Sequence, residues 1–288
     1  MTKDIIASGW NSRTVDGIEY FYVEALERTG LAIQGFSSRV GGVSAWPYAS
    51  LNQGLHVGDD PQRVMENRHH LFAALGLSFS CSVVPAQVHG DLVHLASRQD
   101  AGAGTDRLET AIPDCDALIT NETGLPLVTH HADCAALLIL DPEKRAVGLA
   151  HAGWKGTVKK IGVRTIEEMG RAFGTRPQDC LVGISPSIGP CCYEVDAPVL
   201  EQFAAAFDYF AELIQPRPNR RAVLDLWQAN RRPLLEIGVR EESIFVSRLC
   251  TCCREQHFFS YRREAGGITG RMAAFIMLRD KNTGNPRA

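Results

Sequence analysis

The stretch Ala135-Ala-Leu-Leu-Ile-Leu-Asp-Pro-Glu-Lys-Arg-Ala-Val-Gly-Leu-Ala-His-Ala-Gly-Trp-Lys-Gly-Thr157 decides the fold class. Residues 135–140 and 146–150 are short apolar runs joined by Asp141-Pro-Glu-Lys, the pattern of an antiparallel hairpin. Nearly every residue in both runs is apolar, so both faces of both strands need cover. A glycine-rich turn and the start of a helix follow directly. Working outward, strand-like runs occur at 31–36, 83–88, 125–129, 180–184, 244–246 and 272–278, the last equally readable as a helix by periodicity. Helices interleave with them. Asp60 caps one that has Pro61 in its first turn, Gly76 past its end, and Val64, Leu71, Phe72 and Leu75 on its apolar face. A second spans 157–173, with Val158, Ile161, Thr165, Ile166, Met169 and Phe173 on one side and Gly174 as terminator. A third starts at Asp196. A fourth runs from Asp225 to before Gly238, and Pro233 should kink or restart it. Interleaved strands and helices predict a mixed α/β protein, a mixed sheet sandwiched by helices in one domain over 1–288.

With 288 residues, the chain can bury a full core without disulfide or metal staples. Its net charge of −3 and lack of any Lys/Arg block argue against bulk binding to a nucleic-acid backbone. Its longest uninterrupted apolar run, 135–140, is far below the ~18 residues of a membrane span. The start, Met1-Thr-Lys-Asp-Ile-Ile-Ala-Ser-Gly9, lacks the apolar centre of a signal peptide, so a cytoplasmic location is expected. Nine cysteines, an odd number, fit a reducing compartment. Two clusters, Cys191-Cys192 and Cys250-Thr-Cys252-Cys253, would supply four thiolates to a zinc. Adjacent cysteines are awkward tetrahedral ligands, so the favoured reading is small buried residues packed together.

Histidine is the side chain best suited to metal binding and proton transfer near neutral pH. His69 and His70 fall on or beside a polar helix face, and His56, His94 and His257 have no partner nearby in sequence. His89, His130, His131 and His151 differ, because each ends a strand-like run and is followed by small residues. If those strands are neighbours, these histidines converge with Cys134 at one edge. Two imidazoles and a thiolate form a borderline-soft ligand set that leaves one tetrahedral position free, as in catalytic zinc sites. The residues lie far apart in the chain and match no local zinc motif. The segment around His151-Ala-Gly-Trp-Lys155-Gly-Thr157 also places backbone N–H groups at a helix start beside a cation, an expected anion cradle. Asp133 is a candidate proton shuttle beside Cys134, as zinc deaminases use a carboxylate that is not a ligand.

Short segments through nearly the whole chain form one ordered set: Gly35-Phe-Ser-Ser-Arg39-Val-Gly-Gly-Val-Ser44, Tyr48-Ala-Ser-Leu-Asn52, Glu66-Asn-Arg68, Gln87-Val-His-Gly90, Ala132-Asp-Cys134, His151-Ala-Gly-Trp154, Ile188-Gly-Pro-Cys-Cys-Tyr-Glu-Val195, Leu249-Cys-Thr-Cys252, Phe259-Ser-Tyr-Arg262 and Thr269-Gly-Arg271. Taken together they resemble the bacterial YfiH/PgeF family. Members have been called polyphenol oxidase, laccase-domain protein, purine nucleoside phosphorylase and peptidoglycan editing factor. The resemblance implies an αββα sandwich and one Zn2+ (Cu2+ as the alternative) on His89, Cys134 and His151. It also implies phosphorolysis of adenosine, inosine or methylthioadenosine and deamination of adenosine, with nucleoside and phosphate as partners. Ser37, Arg39, Asn52, Arg68 and Lys155 would then line the substrate site, with Asp133 and His131 as catalytic candidates. His131 stands where the family usually has threonine, and Lys155 where arginine is commoner. Two other readings stay open: a cysteine hydrolase using Cys134 with His151 or His89 on a peptidoglycan precursor, and a multicopper polyphenol oxidase. A monomer or weak homodimer is expected.

Overall fold

The computed structural model describes residues 9–280; all but the last residue of the 1–9 stretch read as lacking a signal peptide lies outside the described residues. In chain order the strands are β1 (Trp10–Val15), β2 (Ile18–Val23), β3 (Ala32–Ser37), β4 (Val93–Leu95), β5 (Ala117–Thr120), β6 (Leu127–His131), β7 (Ala135–Asp141), β8 (Ala146–Ala152), β9 (Leu181–Ile184), β10 (Glu194–Val195), β11 (Ile214–Arg217), β12 (Arg221–Leu224), β13 (Ile244–Val246) and β14 (Met272–Leu278). The helices that matter below are α1 (Pro61–Ala74), α2 (Trp154–Val158), α3 (Ile161–Phe173), α4 (Ala197–Ala206) and α5 (Leu226–Glu236).

The expected hairpin forms as β7 and β8, paired from Ala135 opposite Ala152 to Asp141 opposite Ala146. It lies inside a six-stranded mixed sheet of order β13-β9-β7-β8-β5-β4. A five-stranded sheet of order β1-β2-β3-β14-β6 packs on it. Strand alternation divides the hairpin's apolar residues between two cores. Leu138, Leu140, Val147 and Leu149 meet Phe21, Phe36 and Ile276 between the sheets. Leu137, Ile139 and Ala150 meet Ile161, Ile166 and Met169 of α3 on the outer face. Gly148 permits that close approach, since a Cβ there would lie 2.9 Å from Thr165 Cγ2. On the far side, Leu71 and Phe72 of α1 cover the five-stranded sheet at Val128, Ala273 and Phe275. The layers therefore run helix, sheet, sheet, helix, an αββα sandwich. Each fully buried Leu contributes roughly 1.5–3 kcal/mol of transfer free energy, so the layers rest on the apolar runs legible in the sequence.

Several elements differ from the sequence-based expectation. The helix expected over 157–173 is two helices, broken at Lys160, whose φ is 57°. Val158 packs with the Phe203 cluster, whereas Ile161 packs on the sheet. The two apolar residues thus serve different surfaces, although their spacing of three mimics one helix face. The 83–88 run makes only isolated bridges, Val83 to Leu127 and Pro85 to Ile112. Pro85 has no N–H to give to a ladder. The 272–278 run is a strand, β14, fully buried between β3 and β6. The β1–β2 hairpin, turning through Asp16-Gly17 with φ of 52° and 81°, and the short β5 carried too little pattern to be foreseen. The fourth helix, α5, runs through Pro233 as one element, with the Asp225 side chain capping it at the Gln228 N–H. A small antiparallel sheet, β10-β12-β11, stands beside the sandwich. Among the described residues no helix is long and apolar enough to cross a membrane.

Candidate metal centre

The link from β6 to β7 crosses from one sheet to the other in three residues, Ala132-Asp133-Cys134. Asp133 turns the chain in the left-handed region (φ 85°) and delivers Cys134 to the start of β7. There Ala136 pairs with His151 of β8. His89 arrives on the irregular segment after Pro85, itself left-handed with φ 59°. The ligand atoms of His89, Cys134 and His151 all lie within 4.8 Å of one another, with Cys134 Sγ 4.0 Å from His89 Nε2. A tetrahedral zinc with Zn–N of ~2.0–2.1 Å and Zn–S of ~2.3 Å needs donors only slightly closer. Gly153 keeps that space open: a Cβ on it would sit 2.9 Å from both Cys134 Sγ and His89 Cδ2. The donor chemistry and the spacing both fit a metal ion.

One residue outside the expected set organises this centre. Asp116, fully buried just ahead of β5, contacts His151 Nδ1 at 2.7 Å through Oδ1. It also accepts the backbone N–H groups of Val88, His89 and Gly90 at 3.1, 3.0 and 2.6 Å. One carboxylate thus orients the His151 ring and holds the loop that carries His89. Burial would raise the Asp116 pKa, but the His151 contact and the Gly90 and Val88 N–H groups hold it below the usual carboxylate value. Burial opposes charge on Cys134 and His151 as well. Their mutual attraction wins, so the thiol is pushed down and the imidazole, also beside Asp116, is pushed up. Asp116 precedes an apolar strand, and its neighbour Cys115 is a buried thiol outside the donor cluster, so nothing local marks it. Only the pairing of β5 with β8 reveals its role.

The centre opens on a cavity of about 1080 Å³ lined by His56, Gln87, His130, Tyr193, Arg262 and Arg271 among others. Gln87 fixes His130 by accepting from its N–H at 2.8 Å and donating to its carbonyl at 3.0 Å. Burial lowers the pKa of His130 well below 6.5 and that of His56 to about 4, aided by Arg68 and Arg271, so both rings are neutral at pH 7. Arg271 makes no ion pair among the described residues. Its Nη1 donates to the Thr269 and Gly270 carbonyls at 2.8 and 3.1 Å.

The other residues singled out in the sequence lie elsewhere or are engaged. None of Ser37, Arg39, Asn52, Arg68 and Lys155 is among the described residues that line the cavity. Ser37 Oγ accepts from Ala273 N–H. Arg39 donates to the Ala49 carbonyl and stacks on Phe259. Asn52 bonds Asp59 and the Arg271 N–H. Arg68, buried, donates to the Gln53, Gly104 and Thr105 carbonyls and touches His130 Nε2 at 3.3 Å. Lys155 is exposed, with Nζ 5.6 Å from the Trp154 ring centre. Asp133 lines the cavity, but its carboxylate accepts from Thr251 Oγ1, Ser260 Oγ and Arg262 N–H at 2.6, 3.0 and 2.7 Å. His131 is buried between Thr129 Oγ1 (2.8 Å) and the Cys134 carbonyl (3.2 Å), its ring 5.2 Å from that of His151.

Comparison with known proteins gives a consistent picture. Residues 33–279 match the domain model described as "Multi-copper polyphenol oxidoreductase laccase". A Geobacillus stearothermophilus protein named purine nucleoside phosphorylase YlmD is 41% identical over 254 residues, 88% of this chain and 92% of that protein. A protein from an unknown prokaryotic organism named adenosine deaminase RL5 is 33% identical over 233 residues, 80% of this chain and 88% of its own. The crystal structure of a Bacillus licheniformis protein described as hypothetical protein YfiH superposes with a TM-score of 0.88 at 34% identity, covering 93% of this chain and 99% of that one.

Proposed function

The chain belongs to the YfiH/PgeF family, and from that premise we propose that it is a zinc-dependent purine nucleoside enzyme. The reactions are phosphorolysis of adenosine, inosine or methylthioadenosine, and deamination of adenosine. The observation that carries the reading is the convergence of His89, Cys134 and His151 in the lining of a ligand-sized cavity, with His151 oriented by buried Asp116. Relatives named purine nucleoside phosphorylase and adenosine deaminase support the substrate class.

His89, Cys134 and His151 would hold the metal, which when bound supplies Lewis-acid polarisation and acidified water. Asp116 keeps a proton on His151 Nδ1 and so turns the Nε2 lone pair toward the other two donors. Arg271, without a carboxylate partner among the described residues, offers its guanidinium to the phosphate. The apolar wall of Val84, Pro85, Trp154 and Ile188 receives the purine. In phosphorolysis a phosphate oxygen attacks C1′ while the base departs with the glycosidic electron pair. Positive charge gathers on the ribose between them. A phosphate fixed by Arg271 lies where that charge develops, so positioning and electrostatics supply the acceleration.

A second reading has its own observation. Cys134, His151 and Asp116 stand in the order nucleophile, base and orienting carboxylate, which suits a cysteine hydrolase acting on a peptidoglycan-precursor amide or ester. The presence of His89 in the same donor cluster favours the metal. For a multicopper oxidase, the described residues offer one three-donor site with histidine, not the larger set that several coppers need.

Elemental analysis of the purified chain, with phosphate-dependent release of free base from adenosine, tests the proposal. Activity lost in chelator and restored by zinc supports it; activity kept in chelator but lost on thiol alkylation supports the hydrolase. Inactivity of the fully metallated protein on every purine nucleoside refutes it.

A further inference from the structure

Two cysteine pairs far apart in sequence, Cys191 with Cys192 and Cys250 with Cys253, meet outside the His89 centre. Cys191 Sγ and Cys192 Sγ lie 3.4 and 3.3 Å from Cys253 Sγ, and with Cys250 all four sulfurs fall within 4.8 Å of one another. From these sulfurs we infer a second metal site, a structural zinc held by Cys191, Cys192, Cys250 and Cys253. This inference does not rest on the nucleoside reading.

The geometry answers the objection that adjacent cysteines make poor tetrahedral ligands. Residues 189–193 form a tight turn in which the N–H groups of Cys192 and Tyr193 both donate to the Gly189 carbonyl at 3.0 Å. That turn lets both neighbouring sulfurs reach Cys253. Sulfurs on a zinc at ~2.3 Å stand about 3.8 Å apart in a tetrahedron, close to the spacing seen. A disulfide would pair Cys253 with only one of two equally near neighbours. Gly189 N–H donates to Cys250 Sγ at 3.3 Å, the amide-to-sulfur contact that supports a thiolate ligand. Cys191 and Cys253 are exposed, so an ion has a path in, while Cys250 is buried and closes the site from behind. Arg262 and Arg263 bond the carbonyls of Cys192, Thr251 and Cys252, bringing positive charge to offset four thiolates on one divalent ion. On loading, Zn–S bonds replace S–H bonds, the protons pass to solvent, and nothing is oxidised or reduced.

The site joins two loops that shape the His89 centre. Ser187 N–H donates to the Leu249 carbonyl, and Thr251 N–H to the Ser187 carbonyl. Both loops grip Asp133, the neighbour of Cys134: Ile188 N–H bonds its carbonyl at 2.9 Å and Thr251 Oγ1 its carboxylate at 2.6 Å. Ile188 and Tyr193 also line the cavity. A thiolate clamp here holds the cavity wall and the turn that delivers Cys134.

The test counts metal in the full chain purified under reducing conditions without chelator. A His89→Ala variant removes a ligand of the first centre and is expected to retain about one zinc per chain. Loaded with Co2+, it should show intense sulfur-to-cobalt charge transfer and tetrahedral d–d bands. Adding Cys253→Ser to that variant should abolish both. No metal in His89→Ala, copper or iron in place of zinc, or a Cys253 disulfide found by mass spectrometry after alkylation overturns the inference. The His89→Ala count and spectrum decide the matter even if the double variant fails to fold. A metal-bearing His89→Ala protein beside a wild type inactive on nucleosides would sink the functional reading and leave this one standing.

Discussion

Replacing Asp116 with Asn tests whether one buried carboxylate builds the metal centre. The substitution keeps the size of the side chain and removes its charge. Asp116 now satisfies four donors: His151 Nδ1 and the N–H groups of residues 88, 89 and 90. Asn offers one acceptor oxygen and places an NH2 donor against the remaining donors. Either the His151 ring or the 88–90 loop must lose its partner, and each unsatisfied buried group costs about 1–3 kcal/mol. Loss of a carboxylate that orients a ligating histidine typically weakens metal binding about 10–100-fold. Because Asp116 also supports the loop bearing His89, the upper end of that range is expected, about 2.8 kcal/mol at 1.4 kcal/mol per tenfold. Titration of metal-loaded protein with a competing chelator measures the change. Near-ultraviolet circular dichroism of the same sample confirms that the variant is folded. A folded Asp116→Asn protein that binds zinc within about twofold of wild type would refute the claim that this carboxylate organises two of the three ligands.

Gly153→Ala puts a methyl group 2.9 Å from Cys134 Sγ and His89 Cδ2. Its φ of −68° suits alanine, so the fold should survive with about 1–3 kcal/mol of packing strain while metal stoichiometry falls; calorimetry with elemental analysis reads both. Arg271→Ala should raise the apparent KM for phosphate about tenfold or more, the scale of a lost charge-assisted hydrogen bond, with a smaller effect on adenosine binding, as initial rates over a phosphate series will show. In metal-free protein the Cys134 pKa falls from 9.0 to about 6, and that of His151 rises from 6.5 to about 9. Thiolate should therefore form as pH rises through about 6 and vanish as it falls below, while the imidazolium persists until pH passes about 9. Iodoacetamide labelling of Cys134 followed by mass spectrometry across that range gives the midpoint, and a value near 9 would contradict the pairing.

The layers of this protein were largely legible along the chain, because burial on two faces leaves a local mark. Residues 135–140 and 146–150 are apolar at nearly every position, and only a strand covered on both sides tolerates that. Caps such as Asp60 and Asp225 act within three residues, so they too can be read locally. What stayed hidden depended on contacts between distant segments. The break at Lys160 arises because Val158 and Ile161 face different clusters. The contacts of Asp116 exist only where β5 lies against β8, and Arg221, Arg262 and Arg271 come together only in the wall of the cavity. The Cys191 to Cys253 quartet is the sharpest case, since adjacency in sequence argued against it and a five-residue turn permits it. Residue types and short-range pattern set which side chains can bind metal and which strands must be covered. The meeting of His89, Cys134 and His151 was decided by strand pairing and by two left-handed residues, 89 and 133, whose backbone direction no local periodicity encodes.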